Sequence, residues 1–437
     1  MTTKNRHPWM TAIAGVLIST AGTVAAQTPA TLVASHAEAA QAAKLGQEAY
    51  AAGKLDVFLV EMRRAYAERP DHPRIIYNLA SALALNGKPD EAMRLLERLG
   101  AMGLSMPAEK DEDFKSLAAT DRFRAACARL AANSNQAGKS SPSMTIPGKQ
   151  LILEGLAYDP VGKVVFASSV RERKIFRIDA AGATTLLADR SAGLWSVFGM
   201  TVDSKRRVLW VATGAVPQTD GFTPADAGKS AVVGFDLRTG KAVHRLEPAD
   251  GKSHTFGDVT LAPNGDLYVS DSDGGALFVA RVGARTLDVL VPSGELLSPQ
   301  GLALSPDGAR LIVADYALGL CAVNLATRKV TRVATPESVC LLGVDGVSSF
   351  GRDLLVIQNG VRPHRVARVR MSAGFDAVEQ LEVLDVGNPA FDEPTLGVVI
   401  DGWFHFIANS QWSKINAKGE MAPIDQFRDT TVLKIKL

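Results

Sequence analysis

Gln300–Asp315 reads QGLALSPDGARLIVAD, and Gly257–Ser272 reads GDVTLAPNGDLYVSDS. Each is a short apolar strand, a tight Pro/Asn/Asp/Gly turn and a second apolar strand. Gly supplies positive φ and Pro presets the turn, so the chain doubles back on itself. The pattern recurs as EGLAYDPVGKVVFAS from Glu154, FGMTVDSKRRVLWVAT from Phe198, DGVSSFGRDLLVIQN from Asp345 and PTLGVVIDGWFHFIAN from Pro394. Successive starts are 44, 59, 43, 45 and 49 residues apart, room for four strands per unit. Six such units predict an all-β, six-bladed propeller over residues 145–437. A Pro/Gly/Asp-rich insertion at residues 215–229 accounts for the long second interval. A propeller must close its ring, and Gln150-Leu151-Ile152-Leu153 is expected to complete the last blade beside the alternating strand at residues 430–437.

Upstream the pattern changes. Residues 31–132 show no strand-like alternation and are rich in Ala, Leu and Arg. Leu45-Gly46 recurs as Leu79-Ala80 and Gly53 recurs as Gly87, each at an offset of 34. Small residues where helices cross, Gly at the turn and this period resemble the tetratricopeptide repeat. Each helix pair leaves an apolar face that only stacking covers, so residues 113–131 are expected to supply capping helices. The predicted fold is therefore multi-domain, with an all-α repeat module at residues 27–132 ahead of the propeller. The polar stretch from Asn133 to Pro142 (NSNQAGKSSP) reads as a linker, placed at residues 133–144. That arrangement predicts that residues 145–437 fold by themselves.

At the start, Lys4 and Arg6 precede a short run of small apolar residues that ends in Val24-Ala25-Ala26. This is the pattern of a secretory signal at residues 1–26, cleaved near Gln27, and it implies a periplasmic or secreted protein. The run is too short and too diluted by Ser19, Thr20, Gly22 and Thr23 for a spanning helix, so no membrane span is expected after cleavage. Removing it takes away two basic residues and no carboxylate, and the formal net charge falls from +2 to zero. Net charge thus gives no case for a nucleic-acid partner. Cys127, Cys321 and Cys340 fit no metal spacing. They read as buried thiols, a Cys321–Cys340 disulfide being the alternative.

Glu154-Gly155 with the following Tyr-Asp-Pro turn and IFRID strand, and the two runs quoted first, resemble the senescence marker protein/gluconolactonase/luciferin-regenerating-enzyme family over residues 150–437. The resemblance implies a metal-dependent lactone or ester hydrolase with one calcium or zinc ion at the channel mouth and no organic cofactor. Its four ligand positions carry over as Glu154, Gly257 (with Asp258 next to it), Gln300 and Asp345. Glu and Asp are retained, whereas Gly257 and Gln300 stand where the family has Asn. The implied ligands are Glu154, Asp258, Gln300 and Asp345. Asp345 is the candidate base, and His254, just before the third unit, is a second candidate base or ligand. Asn359, Glu393 and Asn409 stand at strand entries or ends where they could compensate. The competing reading makes Glu154 and Asp345 solvated loop carboxylates, His254 a loop hydrogen-bonder and Trp412 a packing residue. Two functions follow: hydrolysis of a small lactone or ester, or non-catalytic binding in which the helical repeats recruit a protein partner.

Overall fold

The computed structural model describes residues 31–437. The expected signal at residues 1–26 lies outside the described residues. Four helices come first: α1 (Leu32–Ala51), α2 (Leu55–Glu68), α3 (Pro73–Leu85) and α4 (Pro89–Ala101). Pro73 and Pro89 open α3 and α4, where a missing N–H costs nothing. The small residues explain the crossing of α1 on α2: a Cβ on Gly46 would lie 2.6 Å from Met62 Cε. Two short turns of 3-10 helix (Ala108–Lys110 and Glu112–Leu117) and α5 (Asp121–Ala132) follow. They pack on α3 and α4 in the place of a third, irregular repeat. Tyr77 donates to Asp111, Ser81 and Tyr50 donate to Asp113, and Phe114 is buried against Tyr77. Among the described residues no helix is long and apolar enough to cross a membrane.

A β-rich, propeller-like domain follows. Its strands form antiparallel runs of four, each starting with one of the repeated motifs. Two runs merge into one eight-stranded sheet through a two-residue parallel pairing, Glu247 with Thr286 and Pro248 with Leu287. The first strands stand side by side in a ring: Leu153–Asp159, Ser196–Asp203, Phe256–Leu261, Pro299–Leu304, Val344–Phe350 and Gly397–Ile400, which returns to the first.

Ring closure differs in detail from the expectation. Ser141–Ile146, not residues 150–153, pairs antiparallel with Thr430–Lys436 as the outer strand of the last sheet. Gln150 and Ile152 take positive φ, so their stretch bends into the first inner strand and cannot extend a ladder. The segment read as a linker is thus strand-paired, and Ala137–Gly138 adds a second edge pairing with Val386 and Asp385. All three cysteines are buried free thiols.

The helices and the sheets share a core. The cluster that fills the helical module contains Cys340 and Leu342 from the propeller side. Arg365, 1% exposed, crosses the boundary: its guanidinium donates to the carbonyls of Met102 and Cys340, both at 2.9 Å, and to Gln358 Oε1. Arg69 donates to the Ala317 carbonyl at 3.0 Å, and Asp71 pairs with Arg332. A boundary built this way was not legible in the polar composition of residues 133–142.

Candidate functional site

Inner strands of the ring break register near their starts, and those breaks hold the candidate residues. The shift between Leu153 and Leu156 contains Glu154, that between Phe256 and Val259 contains Gly257 and Asp258, and that between Pro299 and Leu302 contains Gln300. A fourth, between Val344 and Gly346, contains Asp345. A bulge re-aims a side chain that strict alternation would bury between sheets. The Gly after Glu154, Gln300 and Asp345 answers a second demand. A Cβ on Gly301 would lie 2.7 Å from the Asp345 carbonyl oxygen, and one on Gly346 2.7 Å from that of Thr395.

Glu154 and Asp345 meet here as a buried pair, 9% and 8% exposed. Glu154 Oε2 accepts the Trp412 indole N–H at 2.7 Å. Asp345 Oδ2 accepts the Asn359 amide at 2.7 Å; that amide also donates to the Pro394 carbonyl, and its oxygen accepts the Tyr316 hydroxyl at 3.0 Å. Burial pushes the Glu154 carboxyl well above its usual range, and the charge of Asp345 pushes it further. Burial raises Asp345 to about 6, against the hydrogen bond from Asn359 and with the charge of Glu393. Asp258 keeps partial exposure yet has protein on nearly every side, and burial raises it to about 7. Glu393 is raised by burial as well. Removing carboxylates from water while crowding them disfavours the charged form, and these four acids are all raised for that reason.

The other predicted residues are placed differently. His254 is no free base: Nδ1 meets Asp271 at 2.7 Å, Nε2 meets Asp250 at 2.9 Å, and the ring packs edge-on against Phe278. With both nitrogens engaged it ties its loop to the third unit. Gln300 accepts from Ser272 Oγ at 3.2 Å and donates to Ser298 Oγ at 2.9 Å, which turns it along the strand entries. At Gly257 a Cβ would lie 2.1 Å from Ser272 Oγ, so that hydroxyl occupies the space an Asn would need. Asp258 Oδ2 accepts the Leu302 N–H at 2.9 Å. Asn409 binds the backbone of Asp429 and Thr431 and serves the closing strand. Among the described residues no three His, Cys, Asp or Glu side chains stand close enough to hold a metal ion. The four-ligand cation set does not fit: Glu154 and Asp345 remain, Gly257 offers no donor, Asp258 accepts the Leu302 N–H, and Gln300 is held between Ser272 and Ser298. Trp412 and Tyr316 were not legible as site residues, because each reaches its partner from a loop remote in sequence.

Two shallow concavities, about 240 and 400 Å³, lie on the helical module beside Arg122 and beside Cys127. Neither brings together titratable groups comparable to the buried acids Glu154, Asp258, Asp345 and Glu393.

Fold and site together define a helical-repeat protein carrying a propeller-like domain with a cluster of buried carboxyls at its inner strand entries. Residues 38–104 match the family model of the tetratricopeptide repeat. No curated protein matches the chain. Among solved structures it is similar to a gluconolactonase from Xanthomonas campestris, at 13% identity over 68% of this chain and 99% of that one, TM-score 0.45. A PQQ-bound aldose sugar dehydrogenase from Streptomyces coelicolor gives 14% identity over 69% and 99%, TM-score 0.45. A luciferin-regenerating enzyme gives 12% over 68% and 95%, TM-score 0.46. Likeness at this level says nothing about activity.

Proposed function

We propose that this is an exported six-bladed propeller protein whose channel mouth takes a small neutral lactone or ester and hydrolyses it with Glu154 and Asp345, independently of a cation. The six-bladed reading rests on the ring of inner strands, with the eight-stranded sheet counted as two blades. The activity rests on one observation: two interacting, buried carboxyls set apart in that the charge of Asp345 raises Glu154 beyond the effect of burial. Such a separation assigns an acid and a base. Asp345, held by the Asn359 donor, takes the base role, and Glu154, raised by burial and by the charge of Asp345, takes the acid role. Asp345 takes a proton from water as its oxygen bonds the acyl carbon. Glu154 gives its proton to the departing alkoxide oxygen as the acyl C–O bond breaks, and proton exchange with water restores both. Trp412 holds Glu154 and Asn359 holds Asp345 throughout.

Full-length mature protein should hydrolyse simple lactones or aryl esters with or without chelator, and Asp345→Asn or Glu154→Gln should lower kcat about 100-fold or more. Chelator-sensitive turnover, or variants that keep wild-type kcat, would overturn this mechanism. A second reading is favoured by Gly257 and Gln300: having lost the family's ligands, the propeller only binds, and the repeats present it to a protein partner. Wild-type protein without turnover on any lactone or ester, yet stabilised thermally by one, selects that reading. Export has its own test: Edman sequencing of the mature protein should start near Gln27. An intact Met1 removes the periplasmic or secreted assignment.

A further inference from the structure

The helical module grips two propeller loops, and both loops reach the channel mouth. Arg69, at the end of α2, is 3% exposed and donates through Nη2 to the Ala317 carbonyl at 3.0 Å. That carbonyl belongs to the residue next to Tyr316. After α4, the Ser105 N–H donates to the Arg362 carbonyl at 2.9 Å, and Met102 accepts from Arg365 at 2.9 Å. These contacts hold the loop that begins at Asn359. Arg365 also carries Gln358, the residue before Asn359, whose amide donates to the Cys340 and Leu342 carbonyls. The two gripped loops are joined to each other by the Tyr316 hydroxyl on Asn359 Oδ1. An amide whose oxygen is fixed as acceptor has its N–H₂ orientation fixed as well. That N–H₂ is the donor on Asp345.

We propose that the helical module is a clamp: through Arg69 and Arg365 it holds the Tyr316 and Ala317 loop against the Asn359–Arg365 loop, so that Tyr316 and Asn359 position Asp345. Tyr316 and Asn359 are positioning residues and Arg69 and Arg365 the fastenings. The consequence for function rests on the reading of Glu154 and Asp345 as an acid–base pair. The positional part does not. Each fastening ends in a charged, nearly fully buried group that has no reason to cross a boundary between independently acting parts. The Arg365 guanidinium is bound only to neutral acceptors, while that of Arg69 also pairs with Asp71 at 3.3 Å; a guanidinium buried across such a boundary fixes one arrangement against others. A loosened clamp frees Asn359, and Asp345 loses the amide donor that orients it.

The test uses full-length protein with Arg69→Met, Arg365→Met and Tyr316→Phe. Asp345 faces Glu154, Asp258 and Glu393, the Tyr316 hydroxyl and, beyond Glu393, the Arg362 guanidinium. Amide hydrogen exchange of the loops at residues 316–318 and 359–364 reads the clamp directly, and steady-state kinetics read its effect on the site. Arg69→Met and Arg365→Met are expected to speed exchange in these loops about 10-fold or more, and all three variants to lower kcat about 10-fold or more with little change in KM. Tyr316→Phe leaves the helical module untouched, so kinetic agreement among the three supports the clamp. Folded Arg69→Met or Arg365→Met protein with wild-type exchange in these loops overturns it. If Arg365→Met does not fold, Arg69→Met decides. If wild type hydrolyses nothing, the hydrolase reading fails while hydrogen exchange still judges the clamp.

Discussion

Asp345→Asn is expected to raise the unfolding midpoint at pH 8 and to leave it nearly unchanged at pH 4. Asn is close to isosteric with Asp and retains an oxygen for the Asn359 amide. What it removes is a charge held under burial beside Glu154, Asp258 and Glu393. The folded carboxyl titrates near 6 against an ordinary value of 3.8. A carboxyl raised on folding imposes no penalty below its unfolded value. The penalty grows as pH climbs through the folded value and is complete above it. A tenfold change in proton affinity corresponds to about 1.4 kcal/mol, so a carboxyl moved from 3.8 to about 6 puts the gap between variant and wild type at pH 8 on the order of 3 kcal/mol. Thermal melts of both proteins from pH 4 to pH 8 check this. A gap that is flat with pH, or a variant less stable at pH 8, would mean that Asp345 is not a strained carboxyl. The same substitution should abolish hydrolysis, so stability gained and activity lost would come from one side chain, as expected where a site holds charge against the interest of the fold.

Arg365→Met carries the second large effect, in the opposite direction. Met approximates the aliphatic stem but has no donors, and it strands the Met102 and Cys340 carbonyls and Gln358 Oε1 in a buried boundary. Each unsatisfied buried acceptor costs about 1–3 kcal/mol, partly offset because a charge no longer has to be desolvated. A net loss of about 2–4 kcal/mol is expected. Arg365→Lys should recover only part of it, since one ammonium cannot reproduce a planar fork that reaches three acceptors. Denaturant titration and limited proteolysis read the result, with new cleavage expected around residues 102–107 where the module is fastened. An unchanged midpoint and cleavage pattern would show that the helices and propeller do not depend on this side chain.

The residues that decide these predictions were legible to different degrees. Glu154 and Asp345 could be marked from sequence because each precedes Gly at a strand entry, and close approach of neighbouring inner strands demands that Gly. His254 looked like a base because a lone His before a strand says nothing of its neighbours. Asp250 and Asp271 then claimed both its nitrogens. Gln300 looked like a lengthened ligand, but Ser272 and Ser298 held it along the strand entries.

The sequence by itself determined the order of helices before strands, the 34-residue repeat and the repeating strand–turn–strand units. These are local properties: helix crossings need small residues at a fixed period, and tight turns need Gly, Pro, Asn and Asp within a few residues of each other. The tertiary structure alone decided which strand closes the ring, that the helices are fastened to the propeller, and what each buried carboxyl touches. Those contacts join residues far apart along the chain: 248 positions separate Arg69 from Ala317, 263 separate Met102 from Arg365, and 258 separate Glu154 from Trp412. No local pattern encodes such pairings, because a buried polar group is satisfied by whichever donor or acceptor the folded chain brings to it.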